Sequence, residues 1–129
     1  MQEWSQFMDT GTERYLLGDF PGAEKGYRAA LEEAKLIFEV DDERYLLNLS
    51  LLASVLCLNS NFTAAEPLYQ RQLEIRQERN ETDTSDLAEC LEGYARVLTE
   101  IGRPEEAEPF AARARRIRER LSAGRPADA

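Results

Sequence analysis

Apolar positions along this chain recur every three or four residues, not every second one, and they gather into six segments. The first segment runs from about Glu3 to Leu17 and places Trp4, Phe7, Met8, Gly11, Tyr15, Leu16 and Leu17 near helical spacing. Asp9, Thr10, Thr12 and Glu13 crowd its middle and blur the apolar face. Gly18 ends it, because glycine takes the left-handed conformation of a helix end without steric cost. Asp19 is suited to cap a second helix, and Pro21 falls in its first turn, where no backbone donor is missed. That helix extends to about Phe38 with Ala23, Tyr27, Ala30, Leu31, Ala34 and Ile37 as its stripe. Asp41 and Asp42 cap a third helix, about Glu43 to Leu58, which is apolar on nearly every side and so predicts burial on two faces. A turn at 59–61 leads to a fourth helix, about Thr63 to Arg79, with Ala65, Leu68, Tyr69, Leu73 and Ile75 inward. After a polar loop, either Asp83 or Ser85 caps a fifth helix from about Asp86 to Glu100. Gly102 stops it and Pro104 opens a sixth, which fades near Leu121. Pro67 and Pro109 lie deep enough in their helices to predict mild kinks. No segment alternates as a strand does, so the expected class is all-α.

Three stretches nearly repeat one another. Gly18 to Tyr27 reads GDFPGAEKGY, Ser60 to Tyr69 reads SNFTAAEPLY, and Gly102 to Phe110 reads GRPEEAEPF. Each has a turn followed by an Ala-Glu pair, and the alanines Ala23, Ala65 and Ala107 are 42 residues apart. A fixed period in this range means stacked helix pairs, none of which can bury its apolar face alone. The repeats fall at about 3–40, 41–82 and 83–121 of a single domain over 1–121, and 122–129 is expected to be a disordered tail.

Small side chains recur in the same register: Gly11, Ala23 and Ala30; Ala53 and Ala65, with Gln72 as the departure; Ala95, Ala107 and Ala114. With Tyr27 and Tyr69 in the second helices, this pattern resembles the tetratricopeptide repeat. The usual period of that repeat is about 34 residues. The longer spacing here is similar to the kinesin-light-chain type, and AEPLYQRQLEIR, from Ala65 to Arg76, is its closest phrase. The resemblance implies a right-handed superhelical α-solenoid of three helix pairs. It also implies a protein-binding adaptor or scaffold whose first helices line a concave groove. Carried over by position, Ser5, Met8, Thr12, Tyr15 and Leu16 line that groove in the first repeat. Leu47, Ser50, Ser54, Cys57 and Leu58 follow in the second, and Glu89, Glu92, Arg96, Thr99 and Glu100 in the third. The lysines and asparagines that clamp a peptide carboxylate in some relatives are replaced by Met8, Thr12, Ser50, Ser54, Glu92 and Arg96. The implied partner is therefore a basic or apolar protein segment.

Charge narrows the partner further. The net charge is −9, yet residues 103–129 carry seven arginines against five carboxylates, so the preceding 102 residues hold −11. Such an acidic body repels nucleic acid, and the arginine-rich sixth helix reads as a solvated face. No apolar run approaches the ~20 residues of a membrane span, and the opening residues do not read as a signal peptide, so a cytoplasmic location is the expectation. Histidine is absent, and Cys57 and Cys90 lack metal-ligand spacing. Neither a metal, a cofactor nor a catalytic role is expected.

Self-assembly is the competing expectation, by dimerisation through either the Trp4/Phe7 end or the basic sixth helix. Trp4 and Phe7 stand on the first helix with no element before them, which makes them a candidate homodimer contact unless Trp4 folds onto the second helix.

Overall fold

The computed structural model describes residues 2–124. Six helices account for most of them: α1 (Gln2–Leu16), α2 (Phe20–Ile37), α3 (Glu43–Leu58), α4 (Phe62–Glu78), α5 (Ser85–Glu100) and α6 (Pro104–Ala123). Among the described residues there is no strand. Ser122 and Ala123, assigned in sequence to the tail, continue α6, and 125–129 lie outside the described residues.

The helix ends follow from local chemistry. Gly18 (φ 79°), Ser60 (φ 58°) and Gly102 (φ 87°) take the left-handed conformation at equivalent points 42 residues apart. At each, two backbone amides turn back on the preceding helix, as Gly18 N–H to Tyr15 O (3.0 Å) and Asp19 N–H to Arg14 O (2.8 Å) show for the first. Asn80 (φ 56°) closes α4 by the same pair of hydrogen bonds. Asp19 caps α2 by accepting the Gly22 amide at 3.0 Å. Asp42 caps α3, and the Arg44 side chain and amide that it accepts hold its carboxyl down to about 2. The cap of α5 is Thr84 rather than Asp83 or Ser85. Its hydroxyl accepts the Leu87 amide while donating to Glu81, a role open to threonine but not to aspartate.

The chain divides into two compact units, with the boundary after Leu68, inside α4. In the first unit α1 packs on α2, and α2 on α3. Close approach of the first pair depends on glycine. A Cβ on Gly26 would lie 2.7 Å from Gly11 N, and one on Gly11 would lie 2.7 Å from the Tyr27 ring. Tyr27, Ala30, Leu31 and Ala34 of α2 are buried, as are Leu46, Leu49, Leu52, Val55 and Leu56 of α3. At roughly 1.5–3 kcal/mol for each large side chain fully buried, α3 is the chief source of apolar stabilisation in this unit. Ile37, placed inward by the pattern, is the last residue of α2 and is 40% exposed.

In the second unit α5 packs on α6. Leu87, Leu91, Tyr94 and Leu98 bury their side chains together with Ala107, Ala114 and Ile117. The Tyr94 and Phe110 rings meet at 4.8 Å. Arg76 is buried and reaches both oxygens of Glu81 (3.0 and 2.9 Å), which fixes the turn before α5.

Candidate functional site

The first helices of the repeats carry the side chains from which a partner surface would be built, and each unit is described separately. In the first unit the exposed large apolar side chains of α1 and α3 are Tyr15 (43%), Leu16 (77%), Leu47 (49%) and Leu58 (45%). Leu16 and Leu58 occupy the same position, one 42-residue period apart. Ser54 is exposed beside them in sequence register, and Ser50 is half-buried.

Other residues placed in this surface by position are spoken for. Met8 (8%) and Cys57 (6%) are buried and belong to the core. Both are soft, polarizable side chains of the kind that fill gaps in a packed core. Thr12 keeps its backbone at the surface, but its hydroxyl pairs with the Tyr27 hydroxyl at 2.8 Å. Tyr15 leans on Phe20 at 5.6 Å between ring centres.

Trp4 is turned inward as well. Its indole N–H donates to Asn48 Oδ1 at 2.9 Å, and its ring meets Phe38 edge-on at 5.0 Å. Phe7 is half-buried. Asn48, fully buried, also donates through Nδ2 to the Tyr27 carbonyl at 3.1 Å, so one side chain joins α1, α2 and α3. Sequence reasoning missed this residue. Its signal was an asparagine in the most apolar segment, 21 residues after Tyr27, a spacing that recurs where Cys90 Sγ donates to the Tyr69 carbonyl at 3.9 Å. Burial pushes the Cys90 thiol up to about 12, against the nearby Arg76 charge, so it remains a protonated packing group.

In the second unit Glu89, Glu92, Arg96, Thr99 and Glu100 are all exposed on α5. Glu92 is held by Arg118 through two contacts of 3.0 and 3.2 Å, and Arg118 also donates to Ser85 Oγ at 3.1 Å. Glu92 and Glu89 raise the Arg118 guanidinium above its ordinary value. Thr99 turns its hydroxyl back to the Ala95 carbonyl at 2.9 Å. Glu89 and Glu100 are left as the outward carboxylates of this set, and Asp86 is exposed in the first turn of the same helix. Among the described residues no group of three metal-ligating side chains converges, and no helix is long and apolar enough to cross a membrane.

Residues 44–120, more than half of the chain, match the family model of the tetratricopeptide repeat. The chain is a tetratricopeptide-repeat protein. Two solved structures share its fold. BtubC (BKLC) from P. vanneervenii is similar with a TM-score of 0.80 and 23% identity over 95% of this chain. The chain spans 49% of that protein's length. The TPR domain of Arabidopsis FLU is similar with a TM-score of 0.76 and 21% identity, over 95% of this chain and 97% of that domain. No curated protein matches the chain. Tetratricopeptide repeats are protein–protein interaction modules and typically serve as non-catalytic scaffolds, so the expected class of function is that of the family.

Proposed function

We propose that this tetratricopeptide-repeat chain is a non-catalytic adaptor that holds a basic or apolar segment of another protein against its first helices, and that its long period makes it kinesin-light-chain-like. The observation that carries the reading is the exposure of Leu16, Leu47 and Leu58 on α1 and α3, all outside the core. Leaving such side chains in water forgoes about 25 cal/mol for every Å² that a partner could cover. On α5 the outward Glu89 and Glu100 favour cations on the bound segment. The intended occupant is thus a segment with apolar anchors and basic flanks.

Dimerisation through Trp4 is the weaker reading, because its indole N–H is already satisfied by Asn48 and its ring by Phe38. A swap of Glu92 and Arg96 would be a poor test, since Glu92 anchors Arg118. Photo-crosslinking amino acids at Leu16 and Leu58, compared with Lys25 and Glu74 on second helices, give the direct one. Adducts with a foreign protein should form from the first pair and disappear when Leu47→Asp is added to either chain. Equal crosslinking from the second helices would contradict the assignment.

A further inference from the structure

We propose that a cleft in the second unit, between the turn before α5 and the arginine face of α6, binds a phosphate group carried on a serine or threonine of a partner protein. Thr82 and Asp83 line one side and Arg113, Arg116 and Arg120 the other, with Ile117 as the apolar floor; the volume is about 180 Å³. Asp83 is the one carboxylate among these residues, and it accepts from Arg120 at 3.0 Å. Three guanidiniums against one carboxylate leave the cleft cationic in a chain whose net charge is −9.

Among the described residues of α6, the uncompensated charge is confined to this place. Elsewhere along α6, Arg115 pairs with Glu108 at 2.8 Å, and Arg118 pairs with Glu92 at 3.0 Å. At the start of the helix, Arg103 pairs with Glu106. Among the described residues, Arg113 and Arg116 have no acidic partner, and both line the cleft. Nor does the repeat impose the charge. One 42-residue period earlier, the positions of Arg113, Arg116, Ile117 and Arg120 read Arg71, Glu74, Ile75 and Glu78. The apolar floor and the first arginine are kept, while two carboxylates have become arginines.

Two unpaired guanidinium forks suit an oxyanion with more than two acceptor oxygens. A phosphomonoester offers three and carries about −1.5 to −2 charges at neutral pH, against −1 for a carboxylate. Thr82 adds a hydroxyl on the opposite wall. The source follows from the rest of the molecule. A polyanion such as nucleic acid or an acidic bilayer would extend past the cleft and meet the acidic body, whereas one phosphate on a protein side chain acts within a Debye length of about 8–10 Å.

The test is NMR titration of the full chain with three peptides of one otherwise uncharged sequence that differ only at one position, which holds phosphoserine, serine or glutamate. Inorganic phosphate and phosphatidylserine vesicles are titrated alongside. The phosphoserine peptide should shift Thr82, Asp83, Arg113 and Arg116 saturably and bind at least about tenfold more tightly than its serine and glutamate counterparts. Inorganic phosphate should shift the same residues more weakly. Arg116→Gln and Arg113→Gln should each remove most of that preference, while Arg115→Gln, outside the cleft, should keep it. Far-UV circular dichroism shows whether each variant is folded, and the exposed Arg116 makes its variant the decisive one. Equal binding of the three peptides, shifts elsewhere, an unchanged Arg116→Gln variant, or preferential binding to vesicles would each overturn the proposal.

Discussion

α1 and α3 occupy equivalent places in successive repeats, yet one row along them has opposite character. In α3 the row Tyr45, Asn48, Leu52 and Val55 is buried, with exposures of 7, 0, 1 and 1%. The matching row of α1, 42 residues earlier, is Glu3, Gln6, Thr10 and Glu13, and all four are exposed. A similar change separates α2 from α6. Leu31 and Ala34 are buried (6% and 0%), while their counterparts two periods later are Arg115 and Arg118, both ion-paired at the surface. The helices keep one backbone plan, and the side chains record whether a neighbour covers the row. What looks like decay of the first repeat is a row of polar side chains exposed to solvent.

The largest expected effect tests that contrast directly. Leu52→Thr removes buried methyl groups and buries a hydroxyl, and should cost about 3–4 kcal/mol in chemical denaturation. Thr10→Leu, the reverse exchange on the matching row, should change stability by less than about 0.5 kcal/mol. Comparable costs at the two sites would show that α1 is covered after all.

Next is Gly26→Leu, which installs the residue that the second repeat carries as Leu68. Because the added side chain would meet the α1 backbone at Gly11 and Phe7, it should cost about 3 kcal/mol. A small effect would mean that α1 can withdraw without loss. Asn48→Leu should cost about 2 kcal/mol, since it leaves the Trp4 indole without its acceptor and removes the second hydrogen bond to the Tyr27 carbonyl. Trp4 fluorescence reports the same change, and a red shift is expected.

The smallest effect separates the three intra-repeat turns. Ser60 holds a positive φ without being glycine, unlike Gly18 and Gly102. Ser60→Gly should therefore raise stability by up to about 1 kcal/mol, and Gly102→Ala should lower it by a similar amount. A thermal melt of each variant checks the pair.

Much of the fold was legible because it rests on local signals. Gly18, Gly102, Asp19 and Pro104 mark helix ends by backbone chemistry that depends on neither packing nor partners. The 42-residue recurrence of small residues located the helix pairs. The cap at Thr84 was less legible, because Asp83 and Ser85 have equal intrinsic claims. The contact that favours threonine runs to Glu81, which is itself held by Arg76. The surface was read only in part. Positional analogy picked out Leu16, Leu47 and Leu58 but could not foresee that Met8 and Cys57 turn inward or that Glu92 is tied to Arg118. Those outcomes depend on helix rotation and on long side chains meeting across elements, neither of which a periodic pattern encodes.

The central claim is that the polar rows of α1 and α6 are solvated and leave the first-helix surface for a foreign protein. Light scattering of the full chain across a hundredfold dilution, in low and moderate salt, tests it most directly. The account predicts a molar mass of 14.7 kDa at every concentration. A dimer that persists on dilution would contradict it and place an end row or the arginine face in a self-interface.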